Sequence, residues 1–376
     1  MQADIDARRI PGAVMLIERN GEIAYEQALG LQDPANGIPM AIDSIFRIYS
    51  MTKPIVSVGV MMLVEQGKLL ISDPVSKYLP ELKELKVGIE KIDADGKPML
   101  ELVPAKQEMT VQDLLRHTSG LTYGIFGESL VKSEYIKSGV ESRRVTSDDF
   151  MQRLSQLPLA YQPGTVWEYS RSTDVLGVLL ERLSGLTLDI YLKQCILTPL
   201  KMHETGFSVE PSQQHRIAEP FATDPDSGRP IRLLDAKSRP SFLSGGGGMV
   251  STLHDYLRFA RMLLNEGELD GVRILSRKTL QFMASDHLSS IAGATEGANY
   301  LPGPGYGFGL GFAVRTATGA AKTAGTVGDY LWSGLAGTYF WIDPHEKMAA
   351  ILLMQAPEQR DHYRQLYRNL VYAAMN

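Results

Sequence analysis

The rhythm of apolar and polar positions changes several times along the chain. Residues 13–17 are continuously apolar, Asn20-Gly21 follows, and residues 22–29 return with β-prone side chains. An Asn-Gly pair between two such runs signals a two-residue type I′ turn, because both central residues need positive φ. The chain is therefore predicted to open with a β-hairpin. Near the other end, residues 306–314, 337–342 and 347–354 are strand-like, with Asp343-Pro344 starting the turn between the last two. After Pro357, the apolar positions Tyr363, Leu366, Tyr367, Leu370, Val371 and Ala374 recur at helical spacing, which predicts an amphipathic closing helix.

Between these ends the periodicity is helical, over residues 111–117, 148–157, 174–184, 188–196 and 253–265. Local breakers punctuate the helices: Ser119-Gly120, Gln162-Pro163-Gly164 and the tetraglycine run at 245–248, which reads as a close backbone approach. No fixed repeat and no Pro/Ser-rich tether interrupt the pattern. The expectation is an α+β fold, an antiparallel sheet flanked by helices with a mainly helical insertion. One unit comprises residues 1–66 and 286–376, and the helical unit 67–285.

The length of 376 residues fits about two units at ~150 residues each. A net charge of -5, from 38 basic and 43 acidic side chains, leaves no cationic footprint for nucleic acid. The single cysteine, Cys195, excludes an intrachain disulfide and multi-thiolate metal sites. The seven histidines form no His-Glu-x-x-His pair, so neither metal nor other cofactor is expected. The apolar run at 55–64 is too short for a membrane span, and residues 1–9 carry Asp4 and Asp6 with no apolar signal core. A cytoplasmic protein is expected, and the sequence leaves its oligomeric state open.

Ser-x-x-Lys occurs twice, at Ser50-Met51-Thr52-Lys53 and Ser129-Leu130-Val131-Lys132. The first match precedes an apolar run that reads as a buried helix, with Pro54 near its start, where proline is tolerated. A spacing of three puts Ser50 and Lys53 on one face. The second match has no such run behind it and reads as solvated loop. A serine hydroxyl needs a base, and a lysine at its ordinary pKa of ~10.4 is protonated at pH 7, so Lys53 needs burial or a partner. Tyr169, after the Pro163-Gly164 turn, is a candidate partner.

The segments Ser50-Met51-Thr52-Lys53-Pro54, His117-Thr118-Ser119-Gly120-Leu121, the run 163–170 that ends in Tyr169-Ser170, and Trp332-Ser333-Gly334 occur in one order. That order resembles the class C β-lactamase-like serine hydrolases, and among them the family VIII carboxylesterases. The resemblance implies the β-lactamase/penicillin-binding-protein fold, an active site in the cleft between the two units and an acyl-enzyme mechanism. It assigns Ser50 as nucleophile, Lys53 and Tyr169 as the base pair, and the backbone N–H groups of Ser50 and Leu335 as the oxyanion hole.

Two positions depart from that pattern. Trp332-Ser333-Gly334 stands where β-lactam-recognising members have Lys-Thr-Gly, replacing a cation by an indole and favouring neutral esters. Tyr169-Ser170-Arg171 stands where many relatives have Tyr-x-Asn, and Arg171 is expected to face solvent. Trp332, Ser333, Gly334 and Tyr123 are candidate substrate contacts, with Phe126, Tyr306 and Tyr330 as further pocket aromatics. His117 reads as structural, since no Asp is spaced to orient it. The function expected is hydrolysis of short-chain carboxylic esters, with a small-molecule ester as the only partner. The alternatives are a β-lactamase, a D-amino-acid peptidase or an acyltransferase on the same site, and a non-catalytic ligand-binding module.

Overall fold

The computed structural model describes residues 1–375. Strands β1 (Gly12–Arg19) and β2 (Glu22–Asp33) form the opening hairpin. Its turn residues Asn20 and Gly21 have φ of 55° and 84°, the two positive values that a type I′ turn demands. The sheet is completed by β3 (Ile38–Pro39), β4 (Tyr306–Phe308), β5 (Ala313–Arg315), β6 (Tyr330–Ser333), β7 (Tyr339–Asp343) and β8 (Met348–Met354). These eight strands pair antiparallel in the order β4-β5-β6-β7-β8-β1-β2-β3. The first strand of the chain thus lies beside the last, closing the sheet across its middle.

Side chains on β1, β7 and β8 alternate between two cores, as the two-residue period of a strand requires. Val14, Leu16, Phe340, Ile342, Ile351 and Leu353 enter the larger core. Ala13, Met15, Trp341, Ala350 and Leu352 enter the smaller one, against Tyr363, Tyr367 and Val371 of the closing helix. Coverage on both faces explains why β8 is apolar along its whole length.

Five helices matter for the site: α1 (Thr52–Glu65), α2 (Leu130–Ser138), α3 (Ser172–Ser184), α4 (Leu253–Leu264) and the closing α5 (Arg360–Ala373). Helix α1 is buried from Thr52 through Met61, so its apolar residues need no single face. It packs against α3, whereas α4 lies on the sheet against β8, β7 and β1. A helix in the middle of the sequence therefore belongs to the sheet layer. None of the described helices is long and apolar enough to cross a membrane.

The region 306–314, read as one strand, is two strands that pair with each other. Glycines explain the break. Gly311 has φ of 111°, and a Cβ there would meet Ser57 Oγ of α1 at 2.5 Å, so the chain reverses against that helix where only glycine fits. The hairpin of Lys86–Ile92 with Pro98–Pro104 lies in the stretch expected to be mainly helical.

Buried charges fasten α5 to the far strands. Asp329 Oδ2 lies 2.7 Å from Arg315 Nε and 2.5 Å from Arg368 Nη2, and all three side chains are at most 1% exposed. Asp329→Ala would strand two guanidinium groups in the core, at a cost of about 3–5 kcal/mol. Urea denaturation checks this, and a loss below about 1 kcal/mol would mean that water reaches the cluster.

Candidate active site

A single 3-10 turn, Tyr49–Met51, leads into α1 and carries Ser50 at the junction. Tyr49 has φ of 45°, a strained value for a bulky residue, immediately before Ser50. Lys53 extends from the first turn of α1, its Nζ 3.3 Å from Ser50 Oγ. It donates also to Tyr123 OH at 3.1 Å and to Gly246 O at 2.6 Å, and is only 1% exposed. The tetraglycine run is the close approach expected of it: a Cβ on Gly246 would sit 2.8 Å from both Asp174 Oδ2 and Tyr123 OH. Burial pulls the Lys53 pKa down to about 7; the Asp174 carboxylate opposes that shift and the Arg171 cation adds to it.

Tyr169 lies across this amine, its ring centroid 4.4 Å from Lys53 Nζ. Its hydroxyl accepts a hydrogen bond from Trp332 Nε1 at 3.2 Å. Burial pushes its pKa up, and the Ser50 hydroxyl and Trp332 indole oppose the rise. Tyr169 is thus a neutral phenol at pH 7. His117 packs behind it at 5.1 Å between ring centroids, with Nδ1 3.1 Å from Ser170 Oγ. Burial, with Lys53 nearby, holds the imidazole neutral.

In front of these groups is a cavity of about 550 Å³, lined by Ser50, Tyr169, Trp332, Ser333, Gly334 and Leu335 together with Phe126 and Tyr306. Gly334 sits where a Cβ would strike Ile48 O and Thr338 Oγ1, so the end of β6 is pressed against the turn that carries Ser50. Thr338 Oγ1 donates to Ile48 O at 3.2 Å across the same seam.

Two expected pocket aromatics are not among the residues lining the cavity. The Tyr123 ring packs behind Phe126 and Tyr169, and its hydroxyl accepts from Lys53 in the interior. Tyr330 stacks on Phe312 at 4.8 Å and donates to Leu263 O at 3.2 Å, which makes it a core residue. The cavity also contains Tyr300, Leu301 and Arg364, none of which sequence reasoning singled out. Arg364 donates to Gly334 O, and burial draws its pKa down to about 10. Its place on a helix of otherwise ordinary polar pattern gave no signal.

Two further expectations are corrected. Arg171 does not face solvent: two carboxylates draw it inside, Asp174 at 3.3 Å and Glu141 at 3.1 Å. The second Ser-x-x-Lys is not solvated loop. Ser129 caps α2, its hydroxyl accepting from Lys132 N at 3.0 Å, and Lys132 is buried against Glu168 at 3.0 Å. The weakly amphipathic α2 hid its helix, while the cap and Gly139, left-handed at its C-terminus, define it.

The order of segments that meet at this cavity agrees with what whole-chain comparison finds. The Beta-lactamase family model matches residues 1–374. The chain belongs to the beta-lactamase family. Within this family it is a family VIII esterase-like serine hydrolase with the β-lactamase/penicillin-binding-protein fold. It is 32% identical to Esterase EstB of Burkholderia gladioli, over 92% of this chain and 86% of that protein. The structure of EstCE1, a hydrolase with promiscuous acyltransferase activity, superposes with a TM-score of 0.82 at 28% identity, covering 99% and 96% of the two chains. That of the simvastatin synthase LovD from Aspergillus terreus superposes with a TM-score of 0.81 at 26% identity, with the same coverages.

The capping role of Ser129 has a measurable consequence. Ser129→Ala should cost about 1 kcal/mol of stability in urea denaturation and leave turnover within about twofold of wild type. A tenfold or greater loss of turnover with stability unchanged would give the second match a chemical role.

Proposed function

We propose that the protein hydrolyses short-chain carboxylic esters through an acyl-enzyme on Ser50. The reading rests above all on a buried lysine amine 3.3 Å from a serine hydroxyl at the floor of a cavity. At an unperturbed pKa of ~10.4, a neutral amine at pH 7 lies about 4.6 kcal/mol above the ammonium. With its pKa near 7, Lys53 carries almost none of that cost and is a competent base.

In the first half-reaction, Lys53 takes the Ser50 proton as Oγ bonds to the ester carbonyl carbon. The carbonyl oxygen gains the negative charge, which the N–H groups of Ser50 and Leu335 receive. The carbon–oxygen bond to the leaving alcohol then breaks. Tyr169, protonated and in contact with Ser50, relays the proton from Lys53 to the departing alkoxide. Water attacks the acyl carbon in the second half-reaction, giving up a proton by the reverse route, and releases the carboxylic acid and free Ser50.

Trp332 supports ester selectivity, since an apolar indole replaces the cation that would pair with a β-lactam carboxylate. Ser333 and Gly334 continue the cavity wall beside Trp332. Acyl transfer to an alcohol in place of water is the second reading, favoured by the likeness to EstCE1, a hydrolase with promiscuous acyltransferase activity.

Ser50→Ala should abolish labelling by a fluorophosphonate probe while the protein stays folded. Turnover of p-nitrophenyl esters of graded acyl length should exceed that of nitrocefin, and inertness toward both would support the ligand-binding module instead. Lys53 must be unprotonated to act, so the ester rate should fall about tenfold per pH unit below about 7 and level off above it. Tyr169→Phe should lower turnover by about 10²–10⁴, the usual span for a lost proton-transfer group. Wild-type turnover in that variant would remove Tyr169 from the proton route.

A further inference from the structure

Arg171 stands where many relatives place an asparagine, and its contacts lead to Lys53 by two routes. Its Nη1 is 3.3 Å from Asp174 Oδ2, and its guanidinium carbon lies 4.7 Å from the Tyr123 ring centroid. Asp174 is fully buried and accepts from Ser244 Oγ at 2.5 Å and Gly246 N at 3.0 Å. The same Gly246 presents its carbonyl to Lys53 at 2.6 Å, and Tyr123 accepts from Lys53 at 3.1 Å. Both groups that Arg171 touches here thus lead directly to the cradle of the amine.

An uncompensated buried carboxylate beside that cradle would favour the ammonium form of Lys53, which cannot accept a proton. We propose that Arg171 is a positioning residue for Lys53: by pairing with Asp174 it keeps that carboxylate from fixing the amine as ammonium. The proposal rests on the reading of Ser50 and Lys53 given above.

The other groups facing Lys53 leave this pair in control. Tyr123, Tyr169 and His117 are held neutral by burial, and Gly246 and Ser50 are uncharged. Glu141 sits behind Arg171 at 3.1 Å, Arg143 feels Asp174 from farther off, and Arg364 reaches Tyr169 from α5. Removing the Arg171 charge should therefore raise the proton affinity of Lys53. Removing the Asp174 charge should lower it.

A titration of protein carrying [¹³C]lysine tests this by NMR, with Lys53→Met to assign the resonance. In Arg171→Gln the midpoint should move up by about one pH unit, and in Asp174→Asn down by a similar amount. Arg171→Lys, which keeps the charge, should titrate close to wild type. Midpoints that stay put, or that move the same way in Arg171→Gln and Asp174→Asn, overturn the proposal. If Arg171→Gln does not fold, the near-isosteric Asp174→Asn decides alone, and an unmoved midpoint there overturns it. Fluorophosphonate labelling over the same pH series separates this from the function: opposite shifts without Ser50-dependent labelling leave the role of Arg171 standing and remove the esterase reading. Ser50 labelling with fixed midpoints does the reverse.

Discussion

The site depends on keeping one amine out of water. Lys53 is 1% exposed, and its three acceptors, Ser50 Oγ, Tyr123 OH and Gly246 O, are all uncharged. Neutral acceptors satisfy an amine without the strong preference for ammonium that a direct carboxylate contact would impose. The nearest carboxylate, Asp174, is held one residue away through the Gly246 N–H. That separation requires glycine, because a Cβ on residue 246 would sit within 2.8 Å of Asp174 Oδ2 and Tyr123 OH. A buried α1 and a tetraglycine run, almost two hundred residues apart, are two parts of one solution.

The same economy of space governs the opposite wall. The turn before Ser50 is clamped to the sheet by Thr338 Oγ1 on Ile48 O at 3.2 Å and by Gln355 Nε2 on Arg47 O at 3.3 Å. Arg364 from α5 adds a bond to Gly334 O, and Arg368 one turn later anchors that helix to Asp329. The Ser50 segment from the start of the chain and the Trp332-Ser333-Gly334 wall from near its end are therefore joined by hydrogen bonds. The proposed proton route tolerates little displacement, since hydrogen bonds weaken steeply beyond their normal range.

Local chemistry was legible in the sequence where a single segment determines it. The Asn20-Gly21 hairpin, the central strand at 347–354 and the closing helix follow from periodicity and turn residues alone. The pairing of Ser50 with Lys53 follows from helical spacing. What escaped was decided by partners distant in sequence. Arg171 reads as a surface cation until Glu141 and Asp174 are placed beside it, and Tyr123 reads as a pocket aromatic until Lys53 reaches its hydroxyl. The run at 306–314 reads as one strand because nothing local shows that α1 approaches Gly311 closely enough to force a reversal. Ser129 reads as solvated loop because α2 carries too weak an apolar stripe to announce itself.

Trp332 shows how these constraints meet. Its indole N–H donates to Tyr169 OH at 3.2 Å, occupying the phenol oxygen with a neutral donor. A lysine at that place would add a further cation to a site already containing Arg171 and Arg364, and it would also stabilise a tyrosinate. The Tyr169 phenol would then be drawn toward its anion, and the proposed task of base would pass from Lys53 toward tyrosine. With an indole there, burial dominates both groups: Tyr169 stays protonated and Lys53 is the group that titrates near neutrality. In the proposed roles, the residue that shapes the wall for a neutral ester is therefore also the residue that decides which of the two partners is the base.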